Sequence, residues 1–226
     1  MLRSNRLRLI VPLALVALLA CTGSAARADL PFFDFAGFSY LDGEAWQAGT
    51  VVTVAAKFNP IQPNPIWPLD LAANEYTVLV EDLEIASVLD YGGFLEVTYS
   101  GGTIAVYEDA VQNGIYAPNP PNGAVPATFS DGALQLGGAF TELVVLYDVP
   151  SGVGTVSGFV DWSAGAKLAT IGDPVHWTFF GGVSNHAGLG IPAGYDLAWD
   201  PQIYGPDTPL PVSEESWGAI KARFGR

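Results

Sequence analysis

The chain has 226 residues, half of them hydrophobic, and sets 23 acidic side chains against nine lysines and arginines for a formal charge of −14. A body of that sign repels phosphate backbones and anionic headgroups, which excludes nucleic-acid binding. A single cysteine excludes a disulfide framework and a thiolate metal cluster.

The first segment reads as an export leader. Arg3, Arg6 and Arg8 precede an uncharged apolar run from Leu9 to Ala20, shorter than the ~20 residues a spanning helix needs. Ala26-Arg27-Ala28 offers small residues for a cut before Asp29, so residues 1–28 are expected to be a signal peptide. A second cut is open: Leu18-Leu19-Ala20-Cys21 resembles a lipobox, in which Cys21 would be lipidated and anchor the protein at the surface. All 23 acids follow the cut before Asp29, while Arg3, Arg6, Arg8 and Arg27 precede it. From Asp29 to Val212 only Lys57 and Lys167 remain as cations.

From Asp29 onward the pattern is period two, the mark of half-buried strands. Val52, Val54, Ala56 and Phe58 share one face, and Tyr76–Leu83 and Ile85–Leu89 follow. Phe94–Tyr99 and Thr103–Tyr107 flank Ser100-Gly101-Gly102, which reads as a hairpin turn. Leu143–Tyr147 is apolar on both faces. Val156, Val160 and Trp162, then Val175, Trp177 and Phe179, then Tyr195, Leu197 and Trp199 complete the alternating runs. About ten short strands between glycine- and proline-rich turns predict an all-β fold, an antiparallel sandwich or jelly-roll over residues 29–205. Two loops, Asn59–Asn74 and Glu108–Ala127, are long for such a domain.

Residues 206–212 read as a linker and 213–226 as a short amphipathic helix. Ser213 is placed to cap it, Glu214 and Glu215 suit its N-terminal end, and Lys221 and Arg223 its C-terminal end. Trp217, Ile220 and Phe224 share one stripe, a docking face for an envelope or sorting partner.

Chemistry-bearing patterns are sparse. His176 and His186 have no ligand spacing, and Ser157, Ser163 and Ser184 fail the nucleophile-elbow pattern. Glu81 and Glu84 have opposite parity in a regular strand, so they cannot flank one glycosidic bond unless a bulge intervenes. Calcium would need Glu108, Asp109 and Asn113, or Asp196 and Asp200, to converge in space, and no calcium loop motif supports it. No cofactor is expected. Trp162, Trp177 and Trp199 have inward parity, which leaves Trp46 and Trp67 as the platforms on which a surface glycan could stack.

The runs Phe129-Ser130-Asp131-Gly132-Ala133-Leu134-Gln135-Leu136 and Gly102-Thr103-Ile104-Ala105-Val106-Tyr107-Glu108-Asp109 carry a family likeness. So do Gly154–Trp162 and Phe179-Phe180-Gly181-Gly182 before Ile191-Pro192-Ala193-Gly194-Tyr195-Asp196. Together they resemble uncharacterised bacterial exported β-rich proteins associated with PEP-CTERM sorting, although this chain lacks the sorting signal itself. The resemblance implies export and a β fold, and carries no activity. The resulting expectation is an exported, non-enzymatic surface or extracellular protein, structural or adhesive, with a docking or sorting tail. The alternative is a carbohydrate-binding module, and a secreted hydrolase comes after it.

Overall fold

A computed structural model describes residues 31–59, 67–186 and 188–206. Cys21, the leader, and the tail with Trp217, Ile220 and Phe224 lie outside the described residues. The eight strands are β1 (Phe33–Asp42), β2 (Val51–Phe58), β3 (Glu75–Asp90), β4 (Phe94–Asp109), β5 (Ala133–Asp148), β6 (Val153–Ala164), β7 (Trp177–Ser184) and β8 (Leu197–Tyr204). Each pairs antiparallel with the next, and β8 pairs antiparallel with β1, so the sheet closes as an up-and-down barrel.

This corrects the expected sandwich or jelly-roll. Alternation tells which side chains are buried, and it is the same in a sandwich and a barrel. The distinguishing fact is the pairing of Phe33 with Ile203 and of Gly37 with Trp199, contacts between opposite ends of the sequence. The helix expected over residues 213–226 lies outside the described residues, which contain two 3-10 turns, Ala127–Phe129 and Leu168–Thr170, and no α-helix.

Strand lengths also depart from the expectation, for a local reason. Ser100-Gly101-Gly102 does not turn the chain; it lies inside β4, opposite a bulge in β3. Asp82 at the bulge has φ 56°, and Gly101 and Gly102 have φ 65° and 85°. Those positive angles bend the long ribbon rather than reverse it. The reversal comes at Tyr91-Gly92-Gly93, where the Asp90 carboxylate accepts from the Gly92 and Gly93 amides at 2.8 and 2.7 Å. At Gly37 and Gly158, a Cβ would run into the backbone of the adjacent strand, at Ala55 and Glu142 respectively. Glycine there lets the sheet coil tightly enough to close.

The interior is apolar and full. Val54, Val78, Val97, Val106, Leu136, Val145, Val156 and Ile203 point inward with the predicted core tryptophans Trp162, Trp177 and Trp199. One end is plugged by aromatic rings. Phe33 meets Phe58 at 5.1 Å and Trp67 at 5.5 Å, and Phe32 meets Trp177 at 4.8 Å. We call this the closed end. It carries the connections after β2, β4 and β6. The other end, the mouth, carries the connections after β1, β3, β5 and β7. Charged side chains such as Lys57, Glu81, Glu96, Glu142 and Asp161 project from the outer face, the reverse of a barrel that faces lipid. No helix among the described residues is long and apolar enough to cross a membrane.

The long connection between β4 and β5 is a packed strap on the outside of the barrel. Tyr116, Val125 and Phe129 lie with Tyr40, Ala55, Leu79 and Tyr195 in a second apolar cluster. Tyr116 donates to the Ala36 carbonyl at 3.2 Å, and Thr77 donates to the Phe129 carbonyl at 2.9 Å. The Lys57–Glu75 ion pair, 2.9 Å, stands beside it, and Glu75 also accepts from the Gly114 amide at 2.5 Å.

The inward assignment has a direct check. Leu143→Ala removes a fully buried side chain of β5 and is expected to cost about 2–5 kcal/mol in urea unfolding. Leu89→Ala, at a rim position 49% exposed, is expected to change stability by less than about 0.5 kcal/mol. Equal losses would mean that the faces are wrongly assigned.

Candidate functional site

The packed interior gives way at the mouth to a cavity of about 90 Å³. Strands β1 and β8 bring Ser39, Leu41, Leu197 and Trp199 to it, β2 and β3 bring Val52 and Ile85, and β4 brings Tyr99. The connecting loops add Ala45, Trp46, Asn185 and Asp196.

Buried polar atoms without a hydrogen-bond partner occur here, as they do at Trp162 Nε1 toward the closed end. Ser39 Oγ and Trp199 Nε1 are buried and make no hydrogen bond; the two residues are 0% and 2% exposed. A buried hydroxyl or indole N–H without a partner costs on the order of 1–3 kcal/mol. Asp196 is fixed by its backbone: its amide donates to the Ser39 carbonyl at 2.8 Å. Burial raises the Asp196 carboxyl above the usual carboxylate range, opposed in part by a hydrogen bond from the Leu41 backbone. Burial likewise pushes the Tyr99 phenol strongly upward, so it stays a neutral hydroxyl at ordinary pH.

Trp46 sits in the β1–β2 turn with φ 58°, a left-handed conformation that costs a bulky residue strain. Its ring packs on Tyr147 at 4.7 Å. The turn is braced by Thr50, whose hydroxyl donates to the Glu44 carbonyl at 2.8 Å.

The other sequence candidates scatter. Trp67 is 2% exposed at the closed end, where Phe33, Phe58 and Tyr76 crowd its ring and the Lys167 ammonium stands 5.9 Å from its centroid. It presents no open stacking face. His176 and His186 are exposed and lie at opposite ends of the barrel. The β3 bulge supplies the exception that parity allowed: Val80 and Leu83 both point inward, so Glu81 and Glu84 both face out. Glu84 is exposed on open surface there.

Glu108 accepts from Asn74 and Tyr76, Asp109 accepts through Oδ1 from the Val111 amide, and Asn113 donates to Asp131, while Asp109 Oδ2 and Asn113 Oδ1 are buried without a hydrogen-bond partner. Asp196 stands at the mouth, whereas Asp200 lies on the outer flank beside Asp34. Among the described residues no three histidine, cysteine or acidic side chains gather as for a metal ion.

Comparison with known proteins found no matching family model, no matching curated protein and no matching solved structure.

Sequence reasoning flagged Trp46 and Asp196 for other chemistry and missed Ser39 and Trp199 as site residues. Their inward parity is indistinguishable from that of core neighbours. The signal that could have singled out Ser39 is a small hydroxyl on an otherwise aromatic and aliphatic face of β1.

Burial raises Asp196, Asp200 and Glu81 together, so the folded chain holds protons that the unfolded chain releases. Stability is therefore lost as pH rises through the folded-state values and gained as pH falls toward the ordinary carboxylate range. Thermal unfolding should show Tm rising as pH is lowered from neutral toward the ordinary carboxylate range of about 4, with the rise reduced in Asp196→Asn/Asp200→Asn. A Tm that falls over that interval would contradict the assignment.

Proposed function

We propose that this chain is an exported, non-enzymatic binding protein whose barrel takes one small ligand at its mouth. The observation that carries this reading is the cavity itself, which opens at the mouth among Leu41, Trp46, Tyr99 and Asp196 while the rest of the interior is filled. Eight strands make an interior that side chains just fill or that holds one small molecule, and here the closed end is filled while the mouth is not. The polar groups at the cavity are a hydroxyl, an indole N–H, an amide, a phenol and one carboxylate, a set suited to orienting a bound molecule. Trp46, in its left-handed turn conformation, is one of the aromatic side chains of the lining.

Export rests on the leader and on the resemblance to bacterial exported β-rich proteins. The adhesive or structural role and the docking tail at Trp217, Ile220 and Phe224 remain compatible with a small-ligand barrel, because the tail is separate from the mouth in sequence. The glycan reading is weaker: of its two aromatic platforms, Trp67 is buried.

Two measurements test the proposal. Screening small polar and aromatic fragments by thermal shift should find compounds that raise Tm, by up to about 2.7 kcal/mol of linkage at a hundredfold excess over Kd. Trp46→Ala should abolish that shift while leaving the unliganded fold intact. A screen without any stabilising fragment would count against a ligand-binding mouth. Separately, mass analysis of the exported product should find Asp29 or a lipidated Cys21 at its N-terminus; an intact leader would overturn export.

A further inference from the structure

We infer that the root of the strap binds a calcium ion between Asp109, Asn113 and Asp131, pinning the strap to the barrel wall. The inference is independent of the mouth and of what binds there.

Asp109 is the last residue of β4 and Glu75 the first of β3, and the two stand directly opposite each other in the sheet. Like charges in that position repel. Lys57 answers Glu75 at 2.9 Å, and no lysine or arginine of the described residues pairs with Asp109. Yet Asp109 is the more hidden carboxylate, only 8% exposed. Its Oδ1 accepts from the Val111 amide at 2.9 Å, and its Oδ2 is buried with no hydrogen-bond partner.

The strap brings a second such oxygen to the same place, because Asn113 is bracketed by two neighbours of Asp109. On one side the Gly114 amide donates to Glu75 at 2.5 Å. On the other, Asn113 Nδ2 donates to Asp131 Oδ2 at 3.0 Å. The residue after Asp131 is Gly132, and it lies against the end of β4: a Cβ there would stand 3.0 Å from Asp109 Cβ. The remaining Asn113 atom, Oδ1, is buried and unpartnered like Asp109 Oδ2. Turning the carboxamide over would set Oδ1 against the Asp131 carboxylate, so rotation of the amide does not remove the mismatch. A carboxylate oxygen and a carboxamide oxygen both accept and neither donates. Buried in one small cluster, they call for a cation.

The donor set selects which cation. It is two carboxylates and a carboxamide, all oxygen, which suits a hard ion and not zinc. Calcium takes such oxygens with water in an irregular shell, whereas magnesium demands a near-ideal octahedron. Asp131 is exposed, so water reaches that side of the cluster. Glu108, next to Asp109 in sequence, is not part of the set, because its carboxylate accepts from Asn74 and Tyr76.

The test is a calcium titration of the purified exported product, read by calorimetry and by thermal unfolding, beside magnesium and beside sodium chloride of equal ionic strength. Calcium should bind with a Kd on the order of 10⁻⁴–10⁻³ M, the range of extracellular modules, and raise Tm, with magnesium about tenfold weaker or more. Asp131→Asn, at an exposed position, should weaken calcium about tenfold or more while leaving Tm in EDTA little changed. Asp109→Asn should abolish the calcium response yet raise Tm in EDTA, because the new amide donates where an unpaired carboxylate oxygen stood. Asp200→Asn, on the outer flank of β8, should respond as the unaltered chain does. No heat and no shift up to about 10 mM calcium would overturn the site, and so would a shift that sodium chloride reproduces. A calcium response kept by both Asp109→Asn and Asp131→Asn would place the ion elsewhere and overturn it as well.

Discussion

Everything in this structure depends on the hydrogen-bonded pairing of β8 with β1. An open eight-stranded meander would end in two strands with unpaired N–H and C=O groups, a template for association with other chains. Closure removes both edges and fixes the inner volume at a size that side chains can fill. Inward aromatics then seal one end, and the chain is left with a single asymmetry along the barrel axis. At the closed end aromatic rings pack together, and at the mouth the β1–β2 turn and the strand ends line a small, mostly apolar cavity.

The same closure explains why so few cations suffice. The body carries two lysines against its many acids, and only the Lys57–Glu75 pair forms an ion pair between described residues. A barrel with an apolar interior keeps its carboxylates outside, where water solvates them and surface pairing would contribute little. The acidic exterior opposes compaction through self-repulsion and favours solubility. Stability must therefore come from the interior, and the strap over β1–β3 adds a second apolar layer where Phe38, Tyr40, Ala55 and Leu79 would otherwise face solvent.

Much of this was legible in the sequence. Alternation identified the inward faces of β2 and β6 and the burial of Trp162, Trp177 and Trp199, but it carried the last two runs too far, since Val175 is exposed and Tyr195 packs in the outer cluster. It misread the middle of the chain because bulges break the period: β3 looked like two short strands on either side of Glu84, and Gly101-Gly102 looked like a hairpin turn when it only bends β4. Closure was illegible, since the partners Phe33 and Ile203 lie at opposite ends of the domain and no local pattern encodes their meeting. Trp67 misled for a related reason: a tryptophan in a long proline-rich stretch looks exposed, whereas its ring packs among Phe33, Phe58 and Tyr76 at the end of the barrel. At the mouth, Ser39 and Trp199 alternate like any core residue, and their lack of hydrogen-bond partners exists only in three dimensions.

The measurement that bears most directly on the account is amide hydrogen exchange of β1 and β8 compared with β4 and β5. In a closed barrel the β1–β8 ladder is paired like every other, so residues such as Gly37, Phe38, Ala198 and Trp199 should share in the slow exchange of the long central strands. If one whole flank of β1 and of β8 exchanged at near-unprotected rates while β4 and β5 stayed slow, the sheet would be open, and the mouth built from β1 and β8 would not exist.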